Sequence, residues 1–537
     1  MNEERVVMPQ GKLVIDSTRG ASSAVHSPFL AFMEKGTNED FGEVYASTLV
    51  YSGNFALAAE KGEYQDVTIV TGINPFNFSW QLDPDQSFCT PEALHVYSKS
   101  GLSLMSKYWH SFVRDRISPA RFKGEARPSY LNTWEACYFD VSEEKVLALA
   151  DRAMDLGLDM LVLDDGWFAG RNDDTTSLGD WVADEEKFPK GIPYLAKEVK
   201  KKGLKFGLWF EPEMVNPQSQ LYRDHPDWIL HVPRRTSSLG RNQLTLDLSR
   251  QEVADYIFDQ LSAILDCGDI DYVKWDMNRC MTEIGSLGLS PSRQGEVAHR
   301  YMLGLYALLK KITSRYPKIL FENCASGGNR LDMGMMRYFP QTWTSDMCDP
   351  IGRLDIVHGA SYLYPSDILA AYVGPSPNHQ NGRVTSIESR YLAGVFCAAR
   401  GFSLNIDELG PDEIKSVDMY ADFTKQTASD MLGGSFYRLV RHKNHVIWQY
   451  STKDDAKVYV LYFNILSAAN EPVRRVCLKD LDKHASYQLR QEGKSYRGDT
   501  LMHAGVELPT FSNKKEDGVR LLPLGDFSAM LFTFFKD

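Results

Sequence analysis

The hydrophobic and polar pattern changes character twice along the chain. Residues 1–118 are turn-rich, with short alternating runs at Val67-Thr-Ile-Val-Thr71 and Phe76-Asn-Phe-Ser-Trp80. Alternation of period two predicts half-buried strands, so this part reads as an antiparallel β-domain. It closes in a helical linker, where a helical period covers Ser98–Phe112. From about residue 128 short apolar strands alternate with helices. The strands expected are Tyr130–Ala136, Met160–Gly166, Leu204–Phe210, Tyr272–Asp276, Ile319–Ala325 and Thr342–Asp346. Between the first two, Ser142 caps a helix whose apolar stripe is Val146, Leu149, Ala150, Ala153 and Leu156, and Gly157 ends it. From about residue 435 strands return at Phe436–Val440, His445–Tyr450, Lys457–Phe463, Val473–Leu478 and Ser528–Thr533.

Strand–helix alternation over roughly 300 residues implies a parallel sheet, and a (β/α)8 barrel fits that length best. The expected division is a partial N-terminal β-sandwich with its linker at 1–118, a barrel at 119–434 and a C-terminal β-sandwich at 435–537. A doubly wound sheet is the competing fold. No glycine-rich phosphate loop follows any expected strand, so nucleotide binding has no support.

Composition narrows the function classes. The net charge is −12, which argues against nucleic acid or anionic membrane as a main partner. No window approaches the run of about 18 apolar residues that a membrane span needs. The first residues are acidic and do not read as a signal peptide. Eight cysteines are scattered without a C-x-x-C pair, which favours reduced thiols and a cytoplasmic setting. His225, His231 and His379 lack ligand spacing, so no metal site is expected. The 10 tryptophans fill cores or stack on the CH faces of sugars.

In a barrel of this kind chemistry sits at the C-terminal strand ends. Those ends carry Trp134 and Glu135, Asp164-Asp165-Gly-Trp167, Trp209-Phe-Glu211-Pro-Glu213, Lys274, Asp276 and Asn278, Cys324-Ala-Ser-Gly-Gly328, and Trp343-Thr-Ser-Asp346. Strand side chains alternate faces, so Lys274, Asp276 and Asn278 share one side. A cation, a carboxylate and an amide in a row are costly in a plain apolar core, so that face is either a satisfied polar strand end or the floor of a site. Each element also has an ordinary reading. Asp164-Asp165 can cap a helix, Gly327-Gly328 can be a tight turn, Cys324 can be a packed thiol, and Asp346 can cap a loop. Taken together, many acids and tryptophans without histidine describe a site for a neutral polyhydroxylated ligand. Two carboxylates on separate strand ends match the logic of glycoside hydrolysis, with Asp276 ionised beside Lys274 and Asp346 as the acid.

The segments Asn132-Thr-Trp-Glu-Ala-Cys-Tyr-Phe-Asp140, Leu163-Asp-Asp-Gly-Trp-Phe168, Trp209-Phe-Glu-Pro-Glu-Met-Val215, Lys274-Trp-Asp-Met-Asn-Arg279, Glu322-Asn-Cys-Ala-Ser-Gly-Gly328 and Pro340-Gln-Thr-Trp-Thr-Ser-Asp346 together resemble the microbial α-galactosidases of glycoside hydrolase family 36. The likeness runs in order from about residue 12 to the C-terminus. It implies a retaining exo-α-galactosidase acting on sugars such as melibiose and raffinose, with no cofactor or metal. Asp276 matches the family nucleophile and Asp346 the acid/base. Asp164 and Asp165 match the pair holding the galactose 4- and 6-hydroxyls, Trp134 and Trp209 match aromatic walls, and Arg241 and Lys274 match hydroxyl donors. Asn278 lies beside the nucleophile, and Cys324 and Gly327 match the segment near the 2-hydroxyl.

The resemblance further implies small-molecule galactosides as partners and a homo-oligomer. Family members usually carry a longer N-terminal β-sandwich, so a shortened one is expected, and that bears on oligomeric state and substrate length. Met347-Cys-Asp-Pro-Ile-Gly-Arg353 departs from the usual polar run on the leaving-group side. Competing readings are an α-N-acetylgalactosaminidase, a galactosyl transferase of the same mechanism, and a catalytically silent sugar-binding protein.

Overall fold

Eight parallel strands close into a barrel in the computed structural model, which describes residues 3–64, 66–468, 474–508, 511–512, 522–523 and 525–537. We number the barrel strands β1 (Tyr130–Asn132), β2 (Met160–Leu163), β3 (Lys205–Phe210), β4 (Tyr272–Trp275), β5 (Leu320–Asn323), β6 (Gln341–Trp343), β7 (Leu369–Val373) and β8 (Ala399–Phe402). Each pairs with its sequence neighbours, and β8 returns to β1. Apart from the exposed Lys205 at the start of β3, these strand residues are buried. Helices coat the barrel with their apolar stripes. Helix Glu143–Asp155 buries Val146, Leu149, Ala150 and Ala153, and Ser142 accepts a hydrogen bond from the Lys145 N–H at its start. It ends two residues before Gly157, whose φ of 66° is the left-handed conformation that stops helices. Burying each of the larger side chains contributes roughly 1.5–3 kcal/mol.

Two three-stranded antiparallel sheets precede the barrel. One joins Gly11–Asp16, Phe55–Lys61 and Val67–Ile73, and the other Phe29–Met33, Val44–Val50 and Glu92–Ser98. Helix Gly101–Phe112 links them to the barrel. After the barrel a six-stranded antiparallel sheet contains Ser435–His442, His445–Ser451, Lys457–Asn464, Ser528–Lys536, Ser486–Leu489 and Lys494–Arg497 in that order.

Four expectations need correction. Residues Phe76–Trp80 are irregular, not a strand, and Asn77 has a φ of 52°. Their aromatic alternation serves docking instead: Phe78 and Trp80 pack against Phe88 and His299. The first barrel strand stops at Asn132, because the Asn132 side chain accepts the Trp134 N–H and the chain turns into the one-turn helix Trp134–Cys137. Four of the other five expected barrel strands also stop one to three residues early, while Leu204–Phe210 ends at Phe210 as expected, so most of the chemical residues lie on the turns above the strands. Two strands, β7 and β8, were not foreseen. Val473 lies outside the described residues, where the strand found is Arg474–Val476.

Candidate active site

Parallel register builds the site. Trp275 of β4 stands opposite Phe210 of β3, and the Asp276 N–H continues the ladder by donating to the Phe210 carbonyl at 2.8 Å. Asp276 and Glu211 are thereby carried side by side off neighbouring strand ends. Asp276 is buried, and its donors come from three stretches of chain: its own turn, the Ser326 turn and the end of β3. Its Oδ1 accepts the Met277 N–H at 2.8 Å and the Ser326 N–H at 3.2 Å. Its Oδ2 accepts the Asn278 amide at 2.8 Å and the Trp209 indole at 3.3 Å. Burial works against ionisation, but Lys274, the Cys324 thiol, the Asn278 amide and the Met277 N–H outweigh it and hold Asp276 below the usual carboxylate range.

Asp346 stands in the opposite condition. It is half-buried above β6, and the indole of Trp343 donates to its Oδ1 at 2.8 Å. Burial and the charge of Asp276 push its carboxyl above the usual range. The turn above β5 is pressed against it through Gly327. This residue has a φ of 82°, and a Cβ there would lie 2.7 Å from Ser345 Cα and 2.8 Å from Asp346 N. Glycine at 327 is therefore what allows the Cys324 segment and the Asp346 loop to approach.

The acidic pair above β2 is charge-matched residue by residue. Asp164 Oδ2 receives the Lys274 ammonium at 2.8 Å and the Asn132 amide at 2.7 Å. Asp165 accepts from Nε and Nη2 of the buried Arg171 guanidinium, at 3.0 and 2.8 Å. Two adjacent buried carboxylates are tolerated because each has its own cation. Lys274 thus touches Asp164 directly and, through space, lowers Asp276, as its place two residues away leads one to expect.

Trp209 is buried against Phe168 and Trp181, with its indole turned to Asp276. Trp134 is half-buried and packs edge-on against Tyr138 and Phe139. Arg241 is exposed, holds a φ of 51°, and donates to Ser326 Oγ at 3.2 Å. Ser326 in turn donates to Asn278 Oδ1 at 2.8 Å. Cys324 is buried beside Asp276, which pushes its thiol further up. Asp276, Asn278, Ser326, Arg241 and Trp209 are thus joined by hydrogen bonds at the C-terminal strand ends, and Lys274, Asp164 and Asn132 form a second bonded group there.

Three residues had not been given roles. Glu211 accepts the Asn278 backbone N–H at 2.5 Å and its amide at 2.9 Å. Gln243 donates to Glu211 at 3.2 Å. Glu135 lies behind the Asp346 loop, where Cys348 Sγ is 3.6 Å from its Oε1, and burial pushes its carboxyl up to about 7. The strand-pairing register was the signal that singles out Glu211. By contrast Glu213, two residues on, is fully buried in a pair with Arg330.

Known proteins match this chain along most of its length. The family model described as Melibiase matches residues 87–433. The glycosyl hydrolase family 36 N-terminal domain matches 1–83, and the family 36 C-terminal domain matches 445–534. Alpha-galactosidase AgaA of Geobacillus stearothermophilus is 47% identical over 511 residues, covering 94% of this chain and 69% of its own. Alpha-galactosidase Mel36A of Lactobacillus acidophilus is 41% identical, covering 99% and 72%. The crystal structure of an AgaA variant in complex with raffinose superposes with a TM-score of 0.95 at 45% identity, over 99% of this chain and 73% of that one.

Proposed function

Since the chain belongs to glycoside hydrolase family 36, we propose that Asp276 and Asp346 are the two carboxylates of its double displacement. The enzyme is a retaining exo-α-galactosidase that removes terminal α-D-galactosyl residues from oligosaccharides of the raffinose type. In this reading Asp276 attacks the anomeric carbon while Asp346 gives its proton to the departing glycosidic oxygen. Asp346, now a base, then takes a proton from water, and that water displaces Asp276 with a second inversion. The observation that carries the assignment is the opposed state of the two carboxyls. The one surrounded by donors is ready as a nucleophile, and the one that faces the Asp276 charge retains a proton to give.

Asp164 and Asp165 are assigned to the galactose 4- and 6-hydroxyls. Axial O4 separates galactose from glucose, and a buried carboxylate that needs that hydroxyl disfavours the epimer lacking it. Trp134 and Trp209 form walls, Arg241 and Lys274 donate to hydroxyls, and Cys324 with Gly327 borders the 2-position. Melibiose is included in the substrate range. The eight free thiols support a reducing, cytoplasmic setting, and a homo-oligomer completes the reading. Among the described residues no helix is long and apolar enough to cross a membrane.

The test is a rate comparison on p-nitrophenyl α-galactoside and the matching α-N-acetylgalactosaminide, for the protein and for Asp276→Ala. Hydrolysis of the first substrate, abolished in the variant, is expected. Preference for the second would move the substrate assignment to the N-acetylated sugar. A folded protein that binds galactose and cleaves neither would overturn the enzymatic reading.

A further inference from the structure

Glu211 is fully buried at the end of β3. Its Oε1 accepts the Asn278 N–H, and its Oε2 is approached by two side-chain amides, those of Asn278 at 2.9 Å and Gln243 at 3.2 Å. The Asn278 amide nitrogen also donates to Asp276 Oδ2 at 2.8 Å, so one NH2 group bridges the two carboxyls. The other end of the Gln243 amide is informative. Gln243 is 1% exposed, and its Oε1 is buried without a hydrogen-bond partner. Such an orphan acceptor costs roughly 1–3 kcal/mol. The two ends of an amide exchange places without changing its shape. Turned over, Gln243 would face Glu211 with its oxygen, a contact that closes only if Glu211 Oε2 carries a hydrogen, and would send its amide nitrogen to the side where Oε1 now meets no donor.

We propose that Glu211 is a positioning residue that keeps a proton on Oε2, donates it to the Gln243 amide oxygen, and thereby orients Asn278 toward Asp276. The proposal rests on Asp276 being the nucleophile. It makes Asp276 the charged member of the pair, since two carboxylates sharing one amide in a dry site do not both ionise readily. The charged and titratable groups that face Glu211 are Asp276, Arg241 and Arg171. Burial and the Asp276 charge push Glu211 up to about 8, against the pull of Asn278 and Arg241. Loss of that proton turns Oε2 from donor to acceptor at Gln243 and places a second charge at the Asn278 bridge.

The experiment measures kcat/KM against pH with 2,4-dinitrophenyl α-galactoside, whose leaving group departs without a proton from Asp346. Wild type is expected to lose activity as pH rises through about 8. Glu211→Gln, which carries a permanent donor where the proton sits, is expected to lack that fall and to exceed wild type about threefold or more near pH 9. Glu211→Ala removes both contacts to Asn278 and is expected to lower kcat about 10- to 100-fold with little change in KM. An alkaline fall retained in a folded Glu211→Gln enzyme would overturn the proposal. So would wild-type kcat in Glu211→Ala. Failure of the wild type to cleave this substrate would instead strike the function itself.

Discussion

The ammonium of Lys274 lies 2.8 Å from Asp164 Oδ2, in a pair from which water is almost wholly excluded. The contact joins the end of β4 to the end of β2 and ties the strand that carries Asp276 to the acidic pair. Burial disfavours the Lys274 charge, but Asp164, Cys324 and Asp276 raise it well above the ordinary lysine range. Removing one partner strands a buried charge. Asp164→Ala is therefore expected to lose about 3–5 kcal/mol of stability in urea denaturation, together with galactoside hydrolysis. A stable, active variant would show that the pair is not what organises this side of the site.

Gly327 offers a test of the approach between two turns. In Gly327→Ala the new Cβ meets the backbone at Ser345 and Asp346, and the left-handed φ adds strain. Asp346 must move, and a displacement near 1 Å costs about 100-fold. The expected result is a fall in kcat of about that size on a substrate with a poor leaving group. A variant with wild-type kcat would mean that the loop absorbs the change elsewhere.

The pH dependence of stability reports on Glu135. Its folded carboxyl titrates at about 7, above the ordinary 4.5, so the folded state holds the extra proton. Stability from this group is full below about 4.5 and is lost as pH rises toward 7. Glu135→Gln removes that loss. Its Tm relative to wild type is expected to be higher at pH 8 than at pH 5, a comparison that cancels any constant cost of the new amide. An equal difference at both pH values would contradict the assignment.

Ser142→Ala separates stability from catalysis. It deletes the hydrogen bond that starts helix Glu143–Asp155 and should cost about 1 kcal/mol. Because the Ser142 hydroxyl serves the start of its own helix and none of the carboxylates, kcat/KM should not change. A lost activity here would implicate the helix in holding the site.

Much of this architecture was legible in the sequence because strand cores such as Met160–Leu163 and helix Glu143–Asp155 express their burial locally. What escaped notice depended on distant residues. Strand β8 contains Arg400 and Gly401, which interrupt its apolar run; Arg400 is buried because Thr427, Tyr391 and backbone carbonyls satisfy it. Strand β7 is a short run in which two alanines dilute the signal. Lys274 does lower Asp276, its sequence neighbour, but its direct contact with Asp164 depends on barrel closure and is not legible locally. Glu211 and Glu213 look alike in sequence. Only pairing decides that one faces Asn278 and the other Arg330.

The most direct test of the central claim is to trap the covalent intermediate. The protein is incubated with a fluorinated galactosyl fluoride whose glycosyl-enzyme hydrolyses slowly, and the labelled peptide is mapped by mass spectrometry. The account predicts one galactosyl adduct, carried on Asp276. An adduct on any other carboxylate, or an enzyme that turns over galactosides and forms none, would contradict it.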